Sequence, residues 1–194
     1  MAYKQHFIEW FSGKQLPSYW TTRNHVGTAT FRMSDSVDGG FEIVTSTTSN
    51  SAHSIDFNSK RQYDHVNSVA IAVISISALT ISQVRAGLTN TTGLNLDYAY
   101  SGFRASSSAN FSINTADGST TSVTAGSIVA DTNFHSLKTE CGSANIKMYV
   151  DGVLDVTKTT NRPTAKMQPV FIATNDSGTS SRTARIRYME CYNI

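Results

Sequence analysis

The sequence predicts an all-β protein, an antiparallel β-sandwich of the jelly-roll kind. Three observations carry that expectation. Apolar and polar residues alternate with a period of two along the chain, and the first hundred residues hold no sustained 3.6-residue periodicity. Polar turns separate the alternating runs at short, regular intervals, the rhythm of sandwiches and jelly rolls. The pairs Asp117-Gly118 and Asp151-Gly152 stand between such runs and supply the residues that a tight hairpin turn requires.

Taken in order, TATFRMS (28–34) places Ala29, Phe31 and Met33 on one face, and GGFEIVTST (39–47) does the same with Phe41 and Ile43. HSIDFNSKR (53–61) sets Ile55 and Phe57 against Asp56 and Asn58, so these three runs are expected as half-wet strands. VNSVAIAVISISAL (66–79) is apolar on both parities and reads as a central strand covered on both faces, or as one packed beneath a loop. SQVRAGLT (82–89) follows, then GLNLDYAYSGF (93–103), with Leu94, Leu96, Tyr98 and Tyr100 on one side. A Ser-rich link at 105–110 leads into NFSINTADGSTTSVTAG, a hairpin turning at Asp117-Gly118. FHSLKTEC, the turn GSAN, and IKMYV with Ile146, Met148 and Val150 on one face come next. Asp151-Gly152 offers the two positive-φ positions of a type I′ turn before VLDVTKT returns. Pro163 and Pro169 would interrupt a central ladder, so their connection is expected at an edge or outside the sheets. PVFIAT and ARIRYMECYNI close the chain as strands around the polar loop NDSGTSSR.

Length and composition bound the rest. A chain of 194 residues and 21.1 kDa fits one domain, here 9–194, with residues 1–8 as a candidate N-terminal arm whose Tyr3, Phe7 and Ile8 could contact a neighbouring subunit or a capsid, or else close an edge of their own sandwich. Charged residues make up only 15%, so Ser, Thr and Asn must cover much of the exterior. A net charge of +2 with scattered Lys and Arg gives no phosphate-tracking groove, and no nucleic acid is expected. Gln5, His6 and Glu9 interrupt the N-terminal apolar residues, which argues against a secretory leader. The run at 69–81 is well short of the roughly 20 residues that span a bilayer, so no membrane is expected. Cys141 and Cys191 lack metal or redox spacing; they read as two buried thiols, with a disulfide as the alternative in an oxidising compartment. Trp10 and Trp20, flanking FSGKQLPSY, read as anchors that hold the N-terminal segment onto the sandwich.

The order NFHSLKTEC, NIKMYVDGVLDVTKTTNRPT, MQPVFIATND and ARIRYMECYNI resembles the C-terminal half of concanavalin A-like lectin/glucanase sandwiches. FSGKQLPSYWTT and GTATFRMSDSVDGGFEIVTST are similar to the opening of the same domain, so the resemblance runs over roughly residues 7–194. It is closest in kind to stand-alone domains of bacteriophage virion proteins. The fold alone does not decide a function, because this sandwich hosts lectins, glycosidases and structural modules.

The glucanase branch of that resemblance implies an acidic string, Glu-x-Asp-x-x-Glu, on one strand, and no such string occurs here. Asp35 with Asp38, and Asp151 with Asp155, are better explained by turn chemistry. NDSG at 175–178 is the sole local candidate for calcium and reads as a surface loop, and His6, His25, His53, His65 and His135 show no ligand spacing, so neither catalytic residues, metal nor cofactor are expected. These features point first to a non-enzymatic structural protein of a phage particle. It would be made in the host cytoplasm, would sit on the outer shell as a decoration or cement protein, and would have the major capsid protein as partner and a homotrimer by analogy. The alternative is a carbohydrate-binding module for host surface glycans, with Tyr98, Tyr100 and Arg104 as the sugar platform. Burial of those side chains would remove the platform. A glycoside hydrolase is the third reading.

Overall fold

The computed structural model describes residues 5–35, 37, 39–79, 82–92, 97–104, 109–176 and 180–194. Among them are fifteen strands and no helix, and all strand pairs are antiparallel. The strands, numbered in chain order, divide between two sheets. The eight-stranded sheet holds β1 (His6–Trp10), β3 (Thr30–Met33), β4 (Phe41–Val44), β6 (Ser68–Ile76), β11 (His135–Cys141), β12 (Ile146–Val150), β13 (Val153–Lys158) and β15 (Thr183–Asn193). Its order is β13-β12-β11-β6-β15-β4-β3, with β1 also paired to β15. The seven-stranded sheet holds β2 (Thr21–Val26), β5 (Ser51–Asp56), β7 (Ser82–Thr89), β8 (Asp97–Arg104), β9 (Asn110–Asp117), β10 (Thr121–Val129) and β14 (Gln168–Asn175), in the order β10-β9-β8-β7-β14-β5-β2.

Alternation along each strand delivers one dry interior between the sheets. Ala70, Ala72, Ile74 and Ile76 of β6 face Val84, Ala86 and Leu88 of β7 and their neighbours. In β15 the inward set begins on even numbers, Ala184 and Ile186, and continues on odd ones, Met189 and Cys191. A register shift between Ile186 and Tyr188 makes the switch, so one long strand keeps its apolar side inward past the irregularity. Cys141 and Cys191 are both free and buried in this core. Edge strands β13 and β10 are tied across the sandwich: Asp155 accepts from Ser127 N (2.7 Å), and Lys158 Nζ donates to Ser122 and Thr124.

Several sequence expectations change. β5 is not half-wet: Ser54 and Asp56 are fully buried, because β5 lies between β14 and β2 and Arg23 neutralises Asp56 at 2.6 Å. Pro169 lies inside a sheet, in β14. Its pairing with β5 begins only at Val170, so the missing N–H falls where that ladder has run out. His6–Ile8 do not project as an arm. They pair with β15, and Phe7 packs edge-on against Phe57 at 4.9 Å. Tyr3, Leu94 and Leu96 lie outside the described residues. Trp20 is a buried anchor against Phe11 and Phe57, whereas Trp10 is 66% exposed and is no anchor at all.

The hairpin at Asp151-Gly152 has the expected positive φ at both positions, 50° and 84°. Asp151 also accepts from Ser136 N, and with Asp131 it clamps His135: Nδ1 lies 2.7 Å from Asp151 and Nε2 2.9 Å from Asp131. Burial alone would lower the imidazole's pKa, but the two carboxylates outweigh it and the net shift is upward. Asp131 is shifted down, first by its bond to His135. The imidazolium therefore stabilises the fold fully below its ordinary value of 6.5 and loses that contribution as pH rises through the raised value. Asp131 contributes above its ordinary 3.8 and loses that as pH falls through its depressed value. The melting-temperature difference between wild type and Asp131→Asn is expected to be largest between these two values and to shrink on either side. A difference that is flat from acid to alkaline pH would show that the clamp is not charged.

Candidate functional site

The parity that sends Ala99 into the core sends Tyr98, Tyr100 and Gly102 of β8 to the outer face of the seven-stranded sheet. Their neighbours there are Gln83, Arg85, Gly87 and Thr89 of β7, Ser112, Asn114 and Ala116 of β9, and Gln168, Val170, Ile172 and Thr174 of β14. A sheet face turned away from its partner sheet is ordinarily solvated. This one is closed: Tyr100, Asn114 and Gln168 are fully buried, and Tyr98 and Arg85 are nearly so. Tyr98, Tyr100, Ala116, Val170 and Ile172 form a second apolar cluster apart from the main core.

The tyrosines are thus not an open platform. Two residues apart on one strand, they stack on each other with centroids 4.3 Å apart and planes within 6°, and the Arg85 guanidinium lies 5.6 Å from the Tyr100 centroid. Burial pushes the Tyr100 phenol upward in pKa against the opposing pull of Thr89 and Arg85. Arg104 is opposite Gln83 in the ladder, and its side chain lies outside the described residues.

Around the stack the floor is polar. Asn114 donates to Ser112 Oγ at 3.3 Å and Gln168 donates to Thr91 O at 3.0 Å, while Asn114 Oδ1 and Gln168 Oε1 are buried with no hydrogen-bond partner. Toward β2, Arg23 bridges Asp56 and Asn58, and His25 meets Ser54 Oγ at 2.9 Å. Burial lowers the His25 pKa, with Asp56 opposing and Arg23 adding to that shift. Nothing in SQVRAGLT or NFSINTAD marks Arg85 or Asn114 in the sequence, because each holds the polar position of an ordinary alternating strand. The β7-β8-β9 register is what brings them to one place.

Asp56, Asp117 and Asp176, on and around this face, are committed elsewhere. Asp56 lies opposite Val170, and Asp176, which binds Gln83, is six residues further along that strand. At about 3.3 Å per residue the two stand about 20 Å apart, well beyond the roughly 5–5.5 Å of a retaining pair. Asp97 and Asp117 are opposite one another at the rim, but Asp117 is held by Thr120 N and Ser119 N in its turn, which brings its pKa down to about 2. Of the acids singled out in the sequence, Asp151 and Asp155 hold the backbone as described above, and Asp38 lies outside the described residues, as do Ser177 and Gly178 of NDSG. No group of three or more His, Cys, Asp or Glu among the described residues is placed to hold a metal ion.

No protein-family model matches the sequence, and a comparison with curated proteins finds no match. Solved structures do match in fold. The chain is similar to the apo Crh5 transglycosylase, at a TM-score of 0.69 and 14% identity, over 97% of this chain and 84% of that one. It is similar to the β-glucanase of Bacillus licheniformis, at 0.68 and 16%, over 97% and 98%. It is also similar to a glycoside hydrolase family 16 endo-glucanase from Bacteroides ovatus, at 0.68 and 11%, over 94% and 98%. At these identities the likeness establishes the fold alone, a concanavalin A-like jelly-roll sandwich. It also corrects the leading functional expectation. The transglycosylase and the two glucanases share the whole sandwich, and a non-enzymatic structural protein of a phage particle does not follow from them. The neutral, hydroxyl-rich exterior that suggested capsid docking suits a glycan-active surface equally well.

Proposed function

We propose that the chain is a carbohydrate-active protein, with cleavage or transfer of a glycosidic bond as its reaction class. The observation that carries this reading is the sandwich itself, which the chain shares over nearly its whole length with a transglycosylase and two glucanases. Arg85, Asn114 and Gln168 meet on a closed face, so they form a buried floor rather than a glycan contact.

The test is incubation with mixed-linkage β-glucan, laminarin, β-galactan and chitin, read by new reducing ends and product masses, with calorimetric binding on the same panel. Turnover of at least one polymer is expected. Binding without turnover would overturn the reaction class. Neither binding nor turnover by folded protein would overturn the carbohydrate reading as well.

A further inference from the structure

The eight-stranded sheet carries a second, open surface on its outer face. Alternation in β1 points Phe7, Glu9 and Phe11 toward the interior side and His6, Ile8 and Trp10 outward. Across the ladder these three meet Tyr192, Glu190 and Tyr188 of β15, which in turn meet Val69, Ile71 and Val73 of β6. Trp10 is 66% exposed and leans on Tyr188, with centroids 4.4 Å apart and planes at 53°; Ile8 beside it is 48% exposed. Trp20, Phe11 and Phe7 fasten this segment to the core, while the indole of Trp10 packs on Tyr188 at the outer surface.

Next to the indole sits a fixed carboxylate. Tyr188 Oη donates to Glu190 Oε2 at 2.6 Å, and His6 Nε2 lies 2.8 Å from Glu190 Oε1. Each carboxylate oxygen has one partner, and a carboxylate accepts about four bonds in all, so accepting capacity remains on both. His6, Glu190, Tyr192, Asn193 and Ile194 line a cleft of about 270 Å³ alongside.

We propose that this surface, centred on Trp10 and Glu190, is a glycan-contact site on the outer face of the eight-stranded sheet. The chemistry selects the occupant. A pyranose presents a plane of C–H groups ringed by hydroxyls, and the surface presents an aromatic plane edged by a pre-positioned acceptor. A protein partner packed flat here would instead have to desolvate the Glu190–His6 pair, which is costly without further partners. The inference rests on the carbohydrate-active reading but not on turnover.

The experiment is affinity electrophoresis through gels containing mixed-linkage β-glucan, laminarin or soluble β-galactan, comparing wild type, Trp10→Ala and Glu190→Gln, with oligomeric state followed by light scattering. Retention of wild type on at least one polymer is expected, weakened about tenfold by Trp10→Ala and measurably by Glu190→Gln, with both variants still folded by circular dichroism. Retention without turnover of any polymer would sink the reaction class and leave this site standing. Wild-type retention in both Trp10→Ala and Glu190→Gln, no retention of wild type on any polymer, or a Trp10→Ala effect confined to the oligomeric state would each overturn it.

Discussion

Tyr100→Ala is expected to lower the free energy of unfolding by about 3–5 kcal/mol, the usual range for deleting a fully buried aromatic ring. The residue has no exposed surface, stacks on Tyr98 and lies under the Arg85 guanidinium. Truncation would leave a void against Val170 and Ile172 and remove one wall from a nearly buried cation. Tyr100→Phe keeps the ring and removes a buried hydroxyl that has no hydrogen-bond partner, so it is expected at or slightly above wild-type stability. Urea unfolding of the three proteins separates the possibilities. A wild-type midpoint for Tyr100→Ala, coupled to lost glycan binding, would place the ring on an open surface and would restore the sugar platform that the sequence suggests.

That contrast shows where sequence reading stops. DYAYSGFR alternates, and alternation says that Tyr98 and Tyr100 share a face, which they do. It cannot say whether that face is open, because exposure depends on chain segments far away in sequence. The same limit explains β5, where Asp56 reads as a solvated position until Arg23, thirty-three residues earlier, is brought against it by the pairing of β2 with β5. Local chemistry was legible wherever it is self-contained: the Asp151-Gly152 turn needs two left-handed residues and shows them. Pro169 was misread because a proline inside a strand is tolerated at the one point where a neighbouring ladder ends, and that point is set by the length of β5.

The candidate site was less legible than the fold, for a related reason. A catalytic acid string is a local signal, and its absence weighed heavily toward a structural role. The polar floor is a non-local one: Arg85, Asn114 and Gln168 come from three strands and reach a common face through register alone. Trp10 presents the converse case. Its neighbour Phe11 and the more distant Trp20 took the anchoring role that composition assigned to both tryptophans, and this freed Trp10 for the outer surface.

The floor also depends on two small residues, and this sets the second large effect. Gly102 lies opposite Arg85 and Gly87 opposite Tyr100, so each glycine faces one of the three largest side chains on this part of the face. A methyl on Gly102 would run into Val84 O and come within 2.7 Å of Arg85 Cα; one on Gly87 would strike Ala99 O and come within 2.9 Å of Tyr100 Cα. These obstacles are backbone atoms of β7 and β8, and β7 is pinned on its far side by β14, so neither strand can step aside without breaking a ladder. Overpacking a core normally costs about 1–3 kcal/mol, and with backbone as the obstacle Gly102→Ala is expected at or above the top of that range, about 3 kcal/mol or more. Gly13→Ala, where nothing lies closer than 3.6 Å, serves as the control and is expected near wild type. Equal unfolding midpoints for the two variants would mean that β7 and β8 stand further apart than this, and that Arg85 and Tyr100 are not held in place by the gaps the glycines leave.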